Sequence, residues 1–283
     1  MVPDVAGSSP VGRPFFSRIS LVMLMSTFEA ILLGIVQGIT EFLPVSSSGH
    51  LQLAQWLFGF YNLEQYILFN LVCHLGTLLA LFYGFRQEII STLFVNRIRF
   101  FQLMVAILPL FPLLLIMKPI KAVFNQPQYL GYCFLITALL LYVGIRFGAP
   151  KPPAELQNRK WRDPFVIGTF QAFAILPGIS RSGSTISAGR LMGWTLHEAI
   201  VFSFLLSIPT LIGGMILESR HLFDGTYSFA VVGLGQYLIG FATSFFVGCF
   251  GLSLLMKIAS KNKFIYFVWY CLAIGIATII YTH

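Results

Sequence analysis

Two groups of polar residues interrupt apolar stretches of this sequence. The first lies in GIVQGITEFLPVSSSGHLQLAQWLFGF, residues 34–60, and contains Gln37, Glu41, three consecutive serines (Ser46, Ser47 and Ser48) and His50. Gln37 and Glu41 are four residues apart and would share a helix face. A carboxylate there could hold a divalent cation, orient His50 or act as a base. A polar pair that only packs helices is the alternative, and it suits Gln37 better than Glu41.

The second group lies in LPGISRSGST, with Ser180, Arg181, Ser182, Ser184 and Thr185. An arginine within an apolar segment needs an anionic partner, and a guanidinium matches phosphate oxygens bidentately. A helix starting at these serines would offer free N–H groups to the same anion. The alternative is a structural ion pair between Arg181 and Glu41. We favour phosphate because the surrounding hydroxyls and glycines resemble an anion cradle.

Other candidate residues carry weaker signals. His74, in LVCHLGTL, either lines the cavity or packs with a backbone partner, and the sequence favours neither reading. The four cysteines all lie in apolar runs without ligand spacing, which indicates small core residues.

These groups must be positioned inside a membrane. Of 283 residues, 57% are hydrophobic and 10% are charged, and the mean hydropathy is +0.82. A soluble domain carries about 25% charged residues, so the chain is predicted to be a polytopic all-α membrane protein. The net charge of +8 then indicates Lys and Arg retained on the cytoplasmic side, and nucleic acid is not expected as a partner.

Six apolar spans approach the length that a bilayer requires, at 65–85, 100–117, 128–147, 199–217, 230–256 and 264–282. Two further apolar stretches, 28–60 and 164–194, are broken by Pro44 and by the second polar group. Each half is too short to span, which is typical of a re-entrant hairpin lining a protein cavity.

The loop charges predict the orientation. Eleven Lys or Arg residues fall on one side of these spans and three on the other. The richer side is expected to be cytoplasmic, so the first hairpin enters from outside and the second from the cytoplasm.

The two breaks also resemble each other. LPVSSSG and LPGISRSG both carry Leu-Pro, a short spacer and Ser-x-Ser-Gly, and a long apolar span follows each. Two such repeats inserted from opposite faces form an inverted-topology pair whose polar tips meet near the midplane. The predicted division is an N-terminal extension at 1–24 that follows a misassigned start, a first repeat at 25–147, a cytoplasmic linker at 148–163 and a second repeat at 164–283.

The motifs QGITEFLPVSSSGH and LPGISRSGSTIS, with their spacing and surrounding spans, resemble the bacterial undecaprenyl-diphosphate phosphatases, the bacitracin-resistance family. The resemblance covers about residue 28 to the C-terminus. It implies a multi-pass inner-membrane hydrolase that removes the terminal phosphate of undecaprenyl diphosphate and recycles the lipid carrier for peptidoglycan synthesis. It also implies bacitracin resistance, since bacitracin sequesters that substrate, and it leaves open whether the enzyme is a homodimer. The active site is expected to open to the periplasmic face.

The resemblance also implies roles for single residues. Ser47 would attack the terminal phosphorus, His50 would act as base or later acid, and Arg181 would neutralise the diphosphate. Ser46, Ser48, Ser180, Ser182 and Thr185 would bind substrate. Glu41 and Gln37 would hold a divalent cation, Mg²⁺ or Ca²⁺, or Glu41 would orient His50. Position 37 departs from the family, because many members have Glu there, which weakens its role as a ligand.

Three alternatives concern the mechanism, the enzyme class and the function. Water could attack directly while Ser47 only positions it. The phosphatidic acid phosphatase relatives share Ser-Gly-His and Ser-Arg pieces, but Ser182 to Gly193 contains no histidine, and we reject this class. A transporter or flippase of a polyprenyl phosphate lipid is the functional alternative, since inverted repeats with midplane sites are common in transporters.

Overall fold

The computed structural model describes residues 24–113, 126–152, 160–223 and 232–282, and every regular element within these ranges is a helix. The fold class expected from composition is therefore confirmed. The expected N-terminal extension lies outside the described residues except for Leu24, and so does the stretch 153–159 of the expected linker.

In chain order the helices are α1 (Thr27–Phe42), α2 (Ser47–Leu57), α3 (Ile67–Gly84), α4 (Arg86–Ile90), α5 (Arg97–Ile107), α6 (Pro127–Phe147), α7 (Arg162–Phe173), α8 (Arg181–Leu191), α9 (Leu196–Phe223), α10 (Leu234–Ser260) and α11 (Ile265–Thr282). A 3₁₀ turn, Leu63–Tyr66, leads into α3, and a π turn, Ser91–Val95, follows α4.

Five helices in the described ranges are long and apolar enough to cross a membrane, and they correspond to five of the six expected spans. Only 28–44% of each spanning window is buried inside the protein, so most of each apolar surface is left for lipid. The span expected at 100–117 differs. Its helix α5 ends at Ile107, before Pro109 and Pro112, which lack the N–H that a continuing helix needs. The segment 97–113 counts as a sixth span only together with 86–95, from which it bends by 100°.

Both apolar stretches that were expected to break do so at the predicted places. α1 and α2 are separated by residues 43–46, and α7 and α8 by residues 174–180. Leu43, which precedes Pro44, has an extended backbone at φ −69° and ψ 144°, because a following proline disfavours the helical region. The four helices have 11 to 16 residues, so each is shorter than the roughly 20 residues that a bilayer requires. The side from which each hairpin enters stays a prediction.

The two halves of the chain exchange packing partners. α1 packs against α10, and the corresponding helix of the second half, α7, packs against α5. In the same way α3 packs against α10, and its counterpart α9 packs against α5. Two helices also contact their own counterparts in the other half: α3 contacts α9, and α6 contacts α11. This pattern is what a two-fold relation between the halves produces, and it supports the predicted repeat.

Close packing fixes the position of α1, which carries the first polar group. A Cβ atom at Gly38 would lie 2.8 Å from Val247 Cβ and 2.9 Å from the backbone nitrogen of Gly248 on α10. Only a glycine permits this approach. Gln37 and Glu41 consequently lie in the buried interior of the helix bundle.

Candidate active site

The tips of the two hairpins meet, as the repeat predicted. Arg181, the first residue of α8, places Nη2 2.7 Å from Glu41 Oε1 near the end of α1. A Cβ atom at Gly49 would lie 2.9 Å from the Cα atom of Gly178, so the backbones of the tips are in contact. The Arg181–Glu41 ion pair, the alternative to phosphate binding by Arg181, is therefore present, and it joins the two motifs.

The second oxygen of Glu41 collects three polar groups. Ser47 Oγ donates to Oε2 over 2.6 Å and Gln37 Nε2 donates over 3.0 Å, while His74 Nε2 lies 3.7 Å away. The Glu41 side chain is 3% exposed. A buried carboxylate is tolerated only when it is paired and hydrogen-bonded, and these contacts together with Arg181 meet that requirement.

The three consecutive serines have different surroundings. Ser46 is buried and caps α2 by accepting from the backbone N–H of Gly49. Ser47 is partly exposed and donates to Glu41, whereas Ser48 is exposed and lies 3.5 Å from Ser46 Oγ. Of these three hydroxyls, that of Ser47 alone contacts the carboxylate. It is thus placed where it can lose a proton and act as a nucleophile.

The hydroxyls of the second tip are buried and bonded within the protein. Ser180 caps α8 through the N–H of Gly183 at 3.0 Å and lies 3.2 Å from Ser182 Oγ. Thr185 Oγ1 lies 2.6 Å from Ser203 Oγ on α9. These contacts shape the tip around Arg181. The expected role of Ser180, Ser182 and Thr185 in binding substrate stays a prediction.

Thr137 on α6 supports the second tip and was missed in the sequence. Its hydroxyl donates to Gly178 O and accepts from Ser180 N, both over 2.9 Å. A threonine in an apolar span gives no local signal of such a role.

Both ring nitrogens of His50 have partners other than the hydroxyl that it was expected to activate. Its Nδ1 lies 2.7 Å from Ser46 O, and its Nε2 lies 2.8 Å from the hydroxyl of Tyr270 on α11. Ser47 donates to Glu41 instead. In this geometry Glu41 is the group that can take the proton of Ser47, and the expected role of His50 as base or later acid stays a prediction. Tyr270 was also missed, because a tyrosine in an apolar helix is ordinary.

His74 has the backbone partner that one of its two readings requires, and it also lies near Glu41. Its Nδ1 lies 2.7 Å from the backbone oxygen of Asn70, as a packed histidine would place it. Its other ring nitrogen faces Glu41.

Both helices that follow the breaks begin at this site. α2 starts at Ser47 and α8 starts at Arg181, and the first N–H groups of a helix lack intrahelical partners. Two positive helix ends and one guanidinium thus surround a single carboxylate. This arrangement favours an anionic ligand.

Comparisons with known proteins agree with this geometry. The family model described as bacitracin resistance protein BacA matches residues 30–277. The chain belongs to the BacA family. The undecaprenyl-diphosphatase of Protochlamydia amoebophila is 51% identical over 261 residues, covering 91% of this chain and 99% of that protein. The undecaprenyl-diphosphatases of Bacteroides fragilis (strain YCH46) and Carboxydothermus hydrogenoformans are 34% and 35% identical, each covering 90% of this chain and 98% and 97% of their own lengths.

The fit of a divalent cation to this BacA family site can be tested on its donors. In the part of the chain that the structure describes, no three His, Cys, Asp or Glu residues form a ligand cluster. Glu41 is the carboxylate at the tips, and the buried Oε1 of Gln37 has no hydrogen-bond partner among the described residues, which leaves it free as an acceptor. Mg²⁺ is commonly held by one or two carboxylates together with substrate phosphates. The residues fit a cation that arrives with a phosphate ligand.

Proposed function

We propose that this chain is an integral membrane phosphatase that hydrolyses undecaprenyl diphosphate to undecaprenyl phosphate and inorganic phosphate. Membership of the BacA family and relatives named undecaprenyl-diphosphatase support the reaction. The observation that carries the mechanism is the contact of Ser47 Oγ with Glu41 Oε2 at 2.6 Å, beside an arginine at 2.7 Å from the other oxygen.

In the first step Ser47 Oγ attacks the terminal phosphorus. A bond forms between Oγ and phosphorus, the bond from phosphorus to the bridging oxygen breaks, and undecaprenyl phosphate leaves with that oxygen. The proton of Ser47 passes to Glu41 Oε2. Water then attacks the phosphorus of the phosphoseryl group, and the bond from phosphorus to Ser47 Oγ breaks. Glu41 returns its proton to Ser47 Oγ, and inorganic phosphate leaves with the oxygen and both hydrogens of the water.

Arg181 and the two helix starts neutralise the charge that develops on the phosphoryl oxygens. Arg181 uses Nη2 for Glu41 and Nη1 for the Ser207 carbonyl at 3.4 Å. A guanidinium carries five N–H donors, so others remain for phosphate. Glu41 and Gln37 would hold a divalent cation, which would supply further charge neutralisation to the diphosphate when it is bound.

The position of the site inside a membrane protein follows from the substrate. The scissile phosphate is attached to a long apolar chain, which would stay among the lipid-facing helices while the headgroup reaches the tips. We infer that the protein lies in the bacterial inner membrane with its site open to the periplasm. Recycling of the carrier there would confer resistance to bacitracin, which sequesters the substrate.

Phosphate release by purified protein in detergent tests this function. A phosphatase releases inorganic phosphate from a prenyl diphosphate in micelles, where no second membrane face exists. A flippase needs two faces and would be inactive there, and the names of the relatives do not favour it. Folded protein that releases no phosphate in micelles but moves the lipid across vesicles would overturn the proposal.

A further inference from the structure

Tyr270 follows His50 of the first polar motif by 220 residues in the sequence, yet the two side chains are in direct contact. Its hydroxyl is 2.8 Å from His50 Nε2. The two rings also stack, with centroids 5.6 Å apart and planes within 12° of each other. The last helix of the chain therefore holds the imidazole by its face and by one nitrogen.

The contact made by Nδ1 of His50 defines the tautomer of the ring. Nδ1 lies 2.7 Å from Ser46 O, and a carbonyl oxygen only accepts, so Nδ1 carries the hydrogen. In the neutral ring Nε2 is then an acceptor, and the hydroxyl of Tyr270 donates to it. Phe134 packs edge-on against the same ring at 4.9 Å. These contacts leave the imidazole one orientation.

The carbonyl that His50 holds belongs to a strained residue. Ser46 has φ +73° and ψ 93°, outside the regions that residues with a side chain prefer. Such a conformation is unfavourable and persists only when the surroundings fix it. Ser46 O accepts from His50 twice, from Nδ1 and from the backbone N–H at 3.2 Å. Ser46 immediately precedes Ser47, so its backbone sets the direction of the nucleophile.

We propose that Tyr270 is a positioning residue for the phosphatase reaction, acting through His50 and the Ser46 backbone on Ser47. The inference rests on the proposed function. Donation by Tyr270 keeps the His50 ring in place, the ring holds the strained tip, and the tip directs Ser47 Oγ to Glu41. His50 then contributes to turnover by supporting the nucleophile.

Tyr270→Phe tests this chain of contacts because it keeps the stacked ring and removes only the hydroxyl. We expect kcat on a prenyl diphosphate to fall about 3- to 10-fold, the loss that one net hydrogen bond gives. KM should stay within about 2-fold, since Tyr270 acts on the nucleophile. The matched control is Tyr281→Phe on the same helix, whose exposed ring lies away from the tips and whose variant should keep wild-type kcat.

A second readout does not depend on turnover. In NMR spectra of protein labelled with ¹⁵N-histidine, the resonances of the two His50 ring nitrogens are assigned because they are absent from the spectrum of His50→Gln. Wild-type protein should show a protonated Nδ1 and a hydrogen-bonded, unprotonated Nε2. Tyr270→Phe should shift the Nε2 resonance towards that of an unbonded nitrogen, and Tyr281→Phe should not.

The two readouts separate the two proposals. Unchanged His50 resonances or an unchanged kcat in Tyr270→Phe would overturn the positioning role. If wild-type protein shows the expected resonances but hydrolyses no prenyl diphosphate, the function is wrong while the contact stands, and the positioning role falls with the reaction.

Discussion

At the residue scale, the proposed reaction depends on which side chains contact the carboxylate of Glu41. Glu41 binds Arg181 with one oxygen and Ser47 with the other. The same carboxylate therefore connects the cation that would bind phosphate with the hydroxyl that would attack it.

For the nucleophile, we expect Ser47→Ala to be inactive, whereas Ser46→Ala and Ser48→Ala should keep measurable turnover. The reason is that Ser47 alone among the three hydroxyls contacts the carboxylate. With substrate labelled in its terminal phosphate, rapidly quenched wild-type enzyme should carry label on Ser47. Substantial turnover by pure Ser47→Ala protein would instead support direct attack by water.

For the cation, Arg181→Ala should lower turnover by about 10²–10³, the usual effect of losing a contact to developing charge. Arg181→Lys should restore only part, since the ammonium keeps the charge and loses the bidentate fork. Steady-state phosphate release measures both. Because removing Arg181 leaves Glu41 buried without its partner, thermal melting must first confirm that each variant is folded. A folded Arg181→Ala variant with full activity would exclude phosphate binding by this residue.

At the scale of elements, the breaks between short helices hold the site. Gly178 in the second break has φ +91°, and a Cβ atom there would lie 2.6 Å from Cys133 Cβ and 3.0 Å from Leu130 O on α6. The carbonyl of Gly178 also accepts from Thr137. The second tip, and Arg181 with it, thus depends on contact between this break and α6.

Gly178→Ala should therefore destabilise the protein by about 1–3 kcal/mol, the cost of a strained backbone, and should reduce turnover by displacing Arg181. The matched control is Gly213→Ala in the interior of α9, where an added Cβ would meet nothing within 4 Å. This control should melt at the wild-type temperature or above it, since alanine favours helix. Equal melting temperatures and equal turnover for the two variants would show that the break is not fixed in this way.

At the scale of the whole molecule, exchanged packing between the halves brings the two tips together. The orientation of the molecule in the membrane is a separate matter, predicted from loop charge alone. It places the end of α9 outside and the end of α10 in the cytoplasm.

Cysteine labelling measures that orientation. In a variant with the four native cysteines replaced, Ser219→Cys near the end of α9 should react with an impermeant reagent added outside intact cells. Ser260→Cys at the end of α10 is the control and should react only after the membrane is opened. Both positions carry a serine, which is nearly the same size as the cysteine that replaces it, so both substitutions are small. The reverse labelling pattern would mean that the candidate active site opens to the cytoplasm.

Features that depend on composition and short spacing were predictable from the residues alone. The apolar runs required lipid, and Pro44 broke a helix because it restrains the residue before it. The two motifs were recognisable because their residues lie within a few positions of one another, and the comparisons confirm the family.

Which of these residues are partners became visible only in the folded protein. Residue type does not distinguish the three adjacent serines, and before the structure only the family resemblance singled out Ser47. The contact with Glu41 distinguishes Ser47 physically, because the strained tip directs the three hydroxyls differently. The pairing of Arg181 with Glu41 spans 140 residues, and that of Tyr270 with His50 spans 220. Such contacts depend on how helices pack across the interface between the halves. Local periodicity carries no record of that packing, so an aromatic residue in an apolar helix gave no indication of its role.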